Sequence, residues 1–363
     1  MIEKRSYTSE HNSKKIYLEC LRIIAMILVI FNHTGLQGYT LFTIRQKSVF
    51  FWGYLFCSIA CKIAVPLFFM ISGSLLLPKQ ESIRTVYQKR VSRFVIVLLL
   101  FSAVQMVFRM FAYGEPITLS GYIEGVYAKN LATAYWYLYA YLGVLVMLPL
   151  LRRLAQGMTS EDFFYYAFCE LIIVGVIPVI QYLIWQGDYV INGSFAPILI
   201  TNNNVFFFLL GYGVEHTWKL HADCCWKRVA WTSFGVVAIG ICCFMTYYLN
   251  THTGDWGEYD AQFFHNSLIV LPTIAVFLLV KELFESHHIP GRLEKVIIVI
   301  GNLTFCIMLV ENIFRYIFEE TFLKLAYTIG SFPSCILYVL TVFVASGIVA
   351  LILKRIPLVK KII

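Results

Sequence analysis

Apolar runs long enough to cross a bilayer recur from one end of the chain to the other, separated by short polar connections. They lie near residues 16–36, 49–77, 92–113, 133–151, 163–185, 202–218, 229–249, 264–284, 296–318 and 335–353. In lipid, every backbone N–H and C=O must find its partner within the protein, so runs of this length predict helices. An even number of spans returns the chain to the side on which it began. No polar linker, low-complexity stretch or internal repeat interrupts the series. The pattern therefore predicts an all-α, polytopic integral membrane protein of about ten transmembrane helices. Residues 1–15 read as a tail, 16–353 as a single transmembrane domain, and 354–363 as a basic tail.

Charge sets the orientation. With the spans numbered as above, 21 lysines and arginines fall on one side: the amino-terminal tail (Lys4, Arg5, Lys14, Lys15), alternate loops, and the tail with Lys354, Arg355, Lys360 and Lys361. The opposite loops hold only Arg45, Lys47, Lys129 and Lys324. By the positive-inside rule both termini are expected in the cytoplasm. The first sixteen residues are polar and basic and lack a cleavage signal, so the first run reads as a retained helix. Composition agrees with lipid as the solvent: 59% of residues are hydrophobic and 14% charged, where a soluble domain carries about 25%. The net charge of +8, distributed in this way, points to a membrane surface and away from nucleic acid. The ten cysteines form no CxxC pair and lie mostly in or beside apolar runs, as small packing residues do; no metal site is expected.

Ionisable residues inside the runs change this picture most, because each costs roughly 2.5–3.5 kcal/mol near a membrane centre and so needs a partner or a task. The first run carries Glu19, Arg22 and His33. Arg22 and His33 are three helical turns apart, about 16 Å in depth and nearly on one face; Glu19 precedes Arg22 at pairing distance. Arg22 is expected in the inner third and His33 in the outer half. Arg109, Glu311 and Arg315 are also expected in the outer half, Lys62 near mid-depth and Glu170 in the inner third. Two polar levels of this kind resemble a pathway with two mouths. An imidazole at the outer level suits removal of a proton from an acceptor hydroxyl. At the inner face Lys89, Arg90 and Arg93 form a basic cluster, which reads either as a solvated juxtamembrane patch or as a clamp for a phosphorylated donor. Trp136 is either an interfacial aromatic or part of an acceptor entrance.

These segments resemble the family of membrane-bound acyltransferases called acyltransferase 3. YLECLRIIAMILVIFNHTG, residues 17–35, is similar to its first span, with Arg22 and His33 at the family's Arg–ten residues–His spacing and Glu19 in place of the usual aspartate. Arg90 and Arg93 match its Arg-x-x-Arg pair. Residues 66–77, 136–154, 203–215 and 301–314 resemble later spans, with Glu311 standing where many members have histidine. The resemblance implies acyl transfer, usually of acetyl from acetyl-CoA, to a hydroxyl of an extracytoplasmic polysaccharide or glycolipid of the cell envelope. The plasma membrane, in bacteria the cytoplasmic membrane, is the implied location. His33 would be the general base or a transient acyl carrier, supported by Arg22. Arg90, Arg93 and Lys89 would hold the donor, with Glu19, Glu311, Arg315, Arg109 and Trp136 as supporting or acceptor-side residues. The same buried charges also fit an exporter of polysaccharide or small molecules, and the residues alone leave that alternative open.

Overall fold

A computed structural model describes residues 3–185, 191–192, 194–218, 224–256 and 267–362, with residues 3–15 and Leu358 described as backbone. The side chains of Lys4, Arg5, Lys14 and Lys15, together with Lys219 and the 264–266 start of the eighth run, lie outside the described residues. Ten long helices carry the apolar runs. They are α1 (Glu3–Asn32), α2 (Phe51–Leu76), α3 (Ile83–Tyr113), α4 (Thr133–Gly157), α5 (Ser160–Trp185), α6 (Asn203–Tyr212), α7 (Cys225–Thr253), α8 (Val270–Ser286), α9 (Gly291–Ile329) and α10 (Ser331–Leu353). No strand occurs among the described residues.

Seven of them, α2 to α5, α7, α9 and α10, are long and apolar enough to cross a membrane. The other three runs form helices that are shorter or more polar, and the packing explains why. Helix α1 touches α2, α8, α9 and α10 and so runs through the middle of the bundle. Its inward residues Tyr17, Leu21, Ala25, Met26 and Ile30 are wholly buried. Every residue of α6 from Phe206 to Gly211 is buried, as is most of α8. A helix wrapped by other helices does not need a lipid-facing coat, so it tolerates Glu19 and Arg22 or a shorter apolar length. The outer helices show the converse: 22% of the apolar window of α5 is buried, against 61% in α2.

Two helices outrun their apolar stretches. Helix α3 starts nine residues before its predicted run and passes through a π-type turn at Tyr87–Val91. The Lys89–Arg93 segment is therefore helix and not an open connection. Helix α9 continues to Ile329, where Lys324 pairs with Glu320 one turn away. Apolar periodicity marks only the part of a helix that lipid or core surrounds, whereas the helix itself runs on into water.

Local breaks aim particular side chains. Helix α2 tightens to a 3₁₀ turn at Cys61–Ile63, which turns Lys62 inward, and a short helix at Pro357–Ile362 folds back against α3. The closest backbone approach joins α2 and α6. A Cβ on Gly73 would be driven into the Phe208 carbonyl, and one on Gly211 into the Met70 carbonyl. Glycine at these two positions lets the helices touch main chain to main chain.

Candidate active site

His33 directly follows the last residue of α1, and its backbone N–H still donates to the Ile30 carbonyl at 3.1 Å. Its side chain is 10% exposed and Nδ1 stands 3.5 Å from Oε1 of Glu311, which is wholly buried in α9. That separation is an ion-pair distance, somewhat longer than a formed hydrogen bond, and no other partner reaches Nδ1. Arg315, one turn further along α9, closes the group. Its Nε donates to Glu311 Oε2 at 2.5 Å and its Nη1 to the His33 carbonyl at 3.1 Å. The guanidinium thus fixes both the carboxylate and the backbone of the histidine. A carboxylate facing Nδ1 favours the proton there, leaving Nε2 with the lone pair. Beneath this group α9 is tied to α3, where Gln105 and Asn312 exchange amide hydrogen bonds at 2.8 Å.

Two cavities meet at His33. One of about 380 Å³ is lined by Asn32, Lys62, Trp136, Asn203 and Asn204, together with apolar side chains. Trp136, 42% exposed, stands at its rim. The second, about 260 Å³, lies on the other side of the imidazole and is lined by Arg109, Asn312, Arg315 and Tyr338. Arg109 is held by both oxygens of Glu115, at 2.7 and 2.5 Å. The structure therefore brings together every residue expected at the outer level: His33, Glu311, Arg315, Arg109 and Trp136.

The inner level is a separate cavity, also about 380 Å³, lined by Arg22, Lys89, Arg90, Arg93 and Lys354. Five cations around one hollow suit a ligand with several phosphate charges. Arg22 pairs with Glu19 at 2.5 Å, as their spacing predicts. Glu19 also presses against Gly301 of α9, where a Cβ would collide with it. Arg93 donates from Nε to the Ile362 carbonyl at 2.9 Å, so the short C-terminal helix borders the mouth. Burial, and secondarily the positive charge of Arg93, holds the Lys354 ammonium below its ordinary range. Three side chains, Phe68, Tyr137 and Met308, line both this cavity and the His33–Lys62 cavity, so they form the partition between them.

Arg90 also has a partner within the fold. Although it borders the inner cavity, both arms of its fork are taken by Glu81, at 2.8 and 2.6 Å. Arg152 of α4 adds a third bond to the same carboxylate at 2.7 Å and donates to the Leu76 carbonyl at 2.9 Å. Arg90 thus braces the cavity wall through Nε and Nη2 and lends its charge to the hollow. These bonds, Arg90's first, hold the Glu81 carboxyl down to about 2. A carboxylate depressed in this way stabilises the fold above its ordinary value of 4.5, and the contribution is lost as pH falls towards the folded value. Glu81→Gln is therefore expected to remove roughly 1–3 kcal/mol at neutral pH. Thermal unfolding of wild type and variant in detergent checks this, and the difference should shrink steadily as the pH is lowered from about 5 to about 3.

Five contributors have no signal of their own in the sequence: Lys354 lies in the basic tail, Glu81 and Arg152 in connections, and Asn203 and Asn204 open the 203–215 segment without a charge to mark them. Lys62 did carry a signal, a lone charge within an apolar run. Glu170 lines none of the three cavities: it is buried in α5 just before a π-type turn, and among the described residues neither of its oxygens has a hydrogen-bond partner.

No curated protein and no solved structure matches the chain. The model of a family described as the acyltransferase domain matches residues 15–354, which contain His33, Arg22 and the ten helices' apolar runs, and the chain belongs to that membrane acyltransferase family.

Proposed function

We propose that this acyltransferase carries an acyl group, acetyl in the first instance, from acyl-CoA at the cytoplasmic face to a hydroxyl of an envelope polysaccharide or glycolipid outside. In this reading all ten long helices span the membrane, the enclosed α1, α6 and α8 included. Both termini are cytoplasmic, in the plasma membrane of a bacterial cell. The 21-to-4 division of basic residues supports that orientation. The observation that carries the proposal is the pair of cavities back to back: a cationic one containing Arg22 and one containing His33, with Phe68, Tyr137 and Met308 between them.

The donor's phosphates would rest against Arg93, Lys89, Lys354 and Arg22, and its thioester arm would pass the three-residue partition towards His33. There His33 Nε2 takes the proton of the acceptor hydroxyl as its oxygen attacks the thioester carbonyl. The C–S bond breaks, and the imidazolium returns the proton to the departing CoA thiolate. Glu311 stabilises the imidazolium while it exists. Both charges stay within the protein and no metal is required.

The test is transfer in sealed vesicles, with labelled acetyl-CoA on the side of the termini and glycan acceptor on the other. Label covalently attached to the acceptor supports the reading. Acceptor that crosses the membrane unlabelled would instead support an exporter. Arg93→Ala should raise the KM for acetyl-CoA about tenfold, or about 1.4 kcal/mol, with little change in acceptor KM. An unchanged donor KM would remove Arg93 from donor binding.

A further inference from the structure

Three arginines inside the apolar runs each have a carboxylate of their own: Glu19 for Arg22, Glu115 for Arg109 and Glu311 for Arg315. Lys62 differs. Among the described residues no carboxylate lies within salt-bridge distance of its ammonium, which rests 4.4 Å from the centre of the Tyr39 ring. A π face holds a cation in place but leaves its charge uncancelled. Lys62 lies in the 3₁₀ turn at Cys61–Ile63 and lines the cavity that contains His33.

The rest of that cavity has the same polarity. Its walls contain no aspartate or glutamate, and the neutral polar groups are the amides of Asn32, Asn203 and Asn204. Asn203 and Asn204 begin α6, so the positive end of that helix faces the same space. Every charged or dipolar element here favours a negative ligand. The donor's phosphates are accounted for on the far side of the Phe68–Tyr137–Met308 partition, so the anion must belong to the acceptor.

We propose that the acceptor is an anionic glycan whose carboxylate or phosphate seats on Lys62 and the neighbouring amides while its hydroxyl meets His33. This inference rests on the acyltransferase reading above and extends it to the class of acceptor. Lys62 then acts on acceptor recognition and position, and the bonds made and broken remain those already described.

The experiment uses the full chain in vesicles, labelled acetyl-CoA, and glycans extracted from the source cells and divided by anion exchange into retained and flow-through fractions. Label is expected in the retained fraction. Carboxyl reduction of that fraction should abolish acceptance if the anion is a uronic acid, and phosphate-ester cleavage should do so if it is a phosphate. Lys62→Met should raise the acceptor KM at least tenfold and leave the acetyl-CoA KM unchanged. Lys62→Arg, which keeps the charge, should restore most of the loss and also shows that the site tolerates substitution. Label in the neutral fraction alone would overturn the proposal and leave the enzyme intact. A fall in kcat with unchanged acceptor KM in Lys62→Met would overturn it too, because it would assign the ammonium to the reacting carbonyl. No label in any fraction would sink the acyltransferase reading and this inference with it.

Discussion

Alanine in place of His33 is expected to lower acyl transfer about 10²- to 10⁴-fold, the range supplied by a positioned proton acceptor, with normal insertion and yield. Glu311→Gln should act on the same step without touching the imidazole. The amide keeps the shape of the carboxylate but not its charge, so the imidazolium loses its stabilising partner and Arg315 loses the anion it holds at 2.5 Å. The expected loss lies in the same range, and it should fall on kcat. The donor KM should change less than about twofold, because the cations proposed to hold acyl-CoA lie beyond Phe68, Tyr137 and Met308. A pH–rate profile separates orientation from simple misfolding: in Glu311→Gln the acidic limb of the profile, where the base must give up its proton, should move, whereas a merely less abundant enzyme would keep its shape. Normal turnover in His33→Ala would remove the imidazole from the reaction. Normal turnover in Glu311→Gln would reduce Glu311 to a packing residue.

Gly73→Ala is expected to damage the fold more than any other single methyl added to this protein. The new carbon would enter the Phe208 carbonyl, and its neighbour in the crossing, Gly211, has the Met70 carbonyl in the same relation. Neither obstacle is a flexible side-chain end, so the helices must separate, and α6 carries the Phe206–Phe208 aromatics wholly buried in the core. The loss should reach or exceed the upper end of the roughly 1–3 kcal/mol typical of overpacking. It would be read as a lower melting temperature and a smaller monodisperse fraction in detergent. Gly143→Ala on α4 is the control: nothing lies within 4 Å of the added carbon, and its effect should be near zero or slightly favourable. Equal behaviour of the two variants would mean that the α2–α6 approach is not as close as described.

Much of the site was legible because charge in a membrane is conspicuous. Glu19, Arg22, His33, Arg109, Glu311 and Arg315 stand out against apolar neighbours, and helical spacing alone pairs Glu19 with Arg22 and Glu311 with Arg315. The pairing of Arg109 with Glu115 was not legible. Glu115 lies beyond the end of α3, and only the turn after Tyr113 brings it back. Nor was the capture of Arg90 by Glu81, since a nine-residue separation through a connection has no periodicity to read. Lys354 reaches the cationic cavity by the same kind of long-range closure.

The one-dimensional pattern determined that this chain is helical, that lipid is its solvent, and which charges interrupt its apolar runs. Those properties follow from local backbone hydrogen bonding and from transfer free energies summed along the chain. Only the tertiary structure decided that α1 is enclosed by four helices, that Glu311 faces His33, and that three side chains divide a cationic cavity from one that holds Lys62 without a carboxylate. Depth is a property of each residue's own helix. Which charges share a cavity depends on how far each helix is rotated and how closely its neighbours can approach, and that is set by packing at points such as Gly73, Gly211 and Gly301.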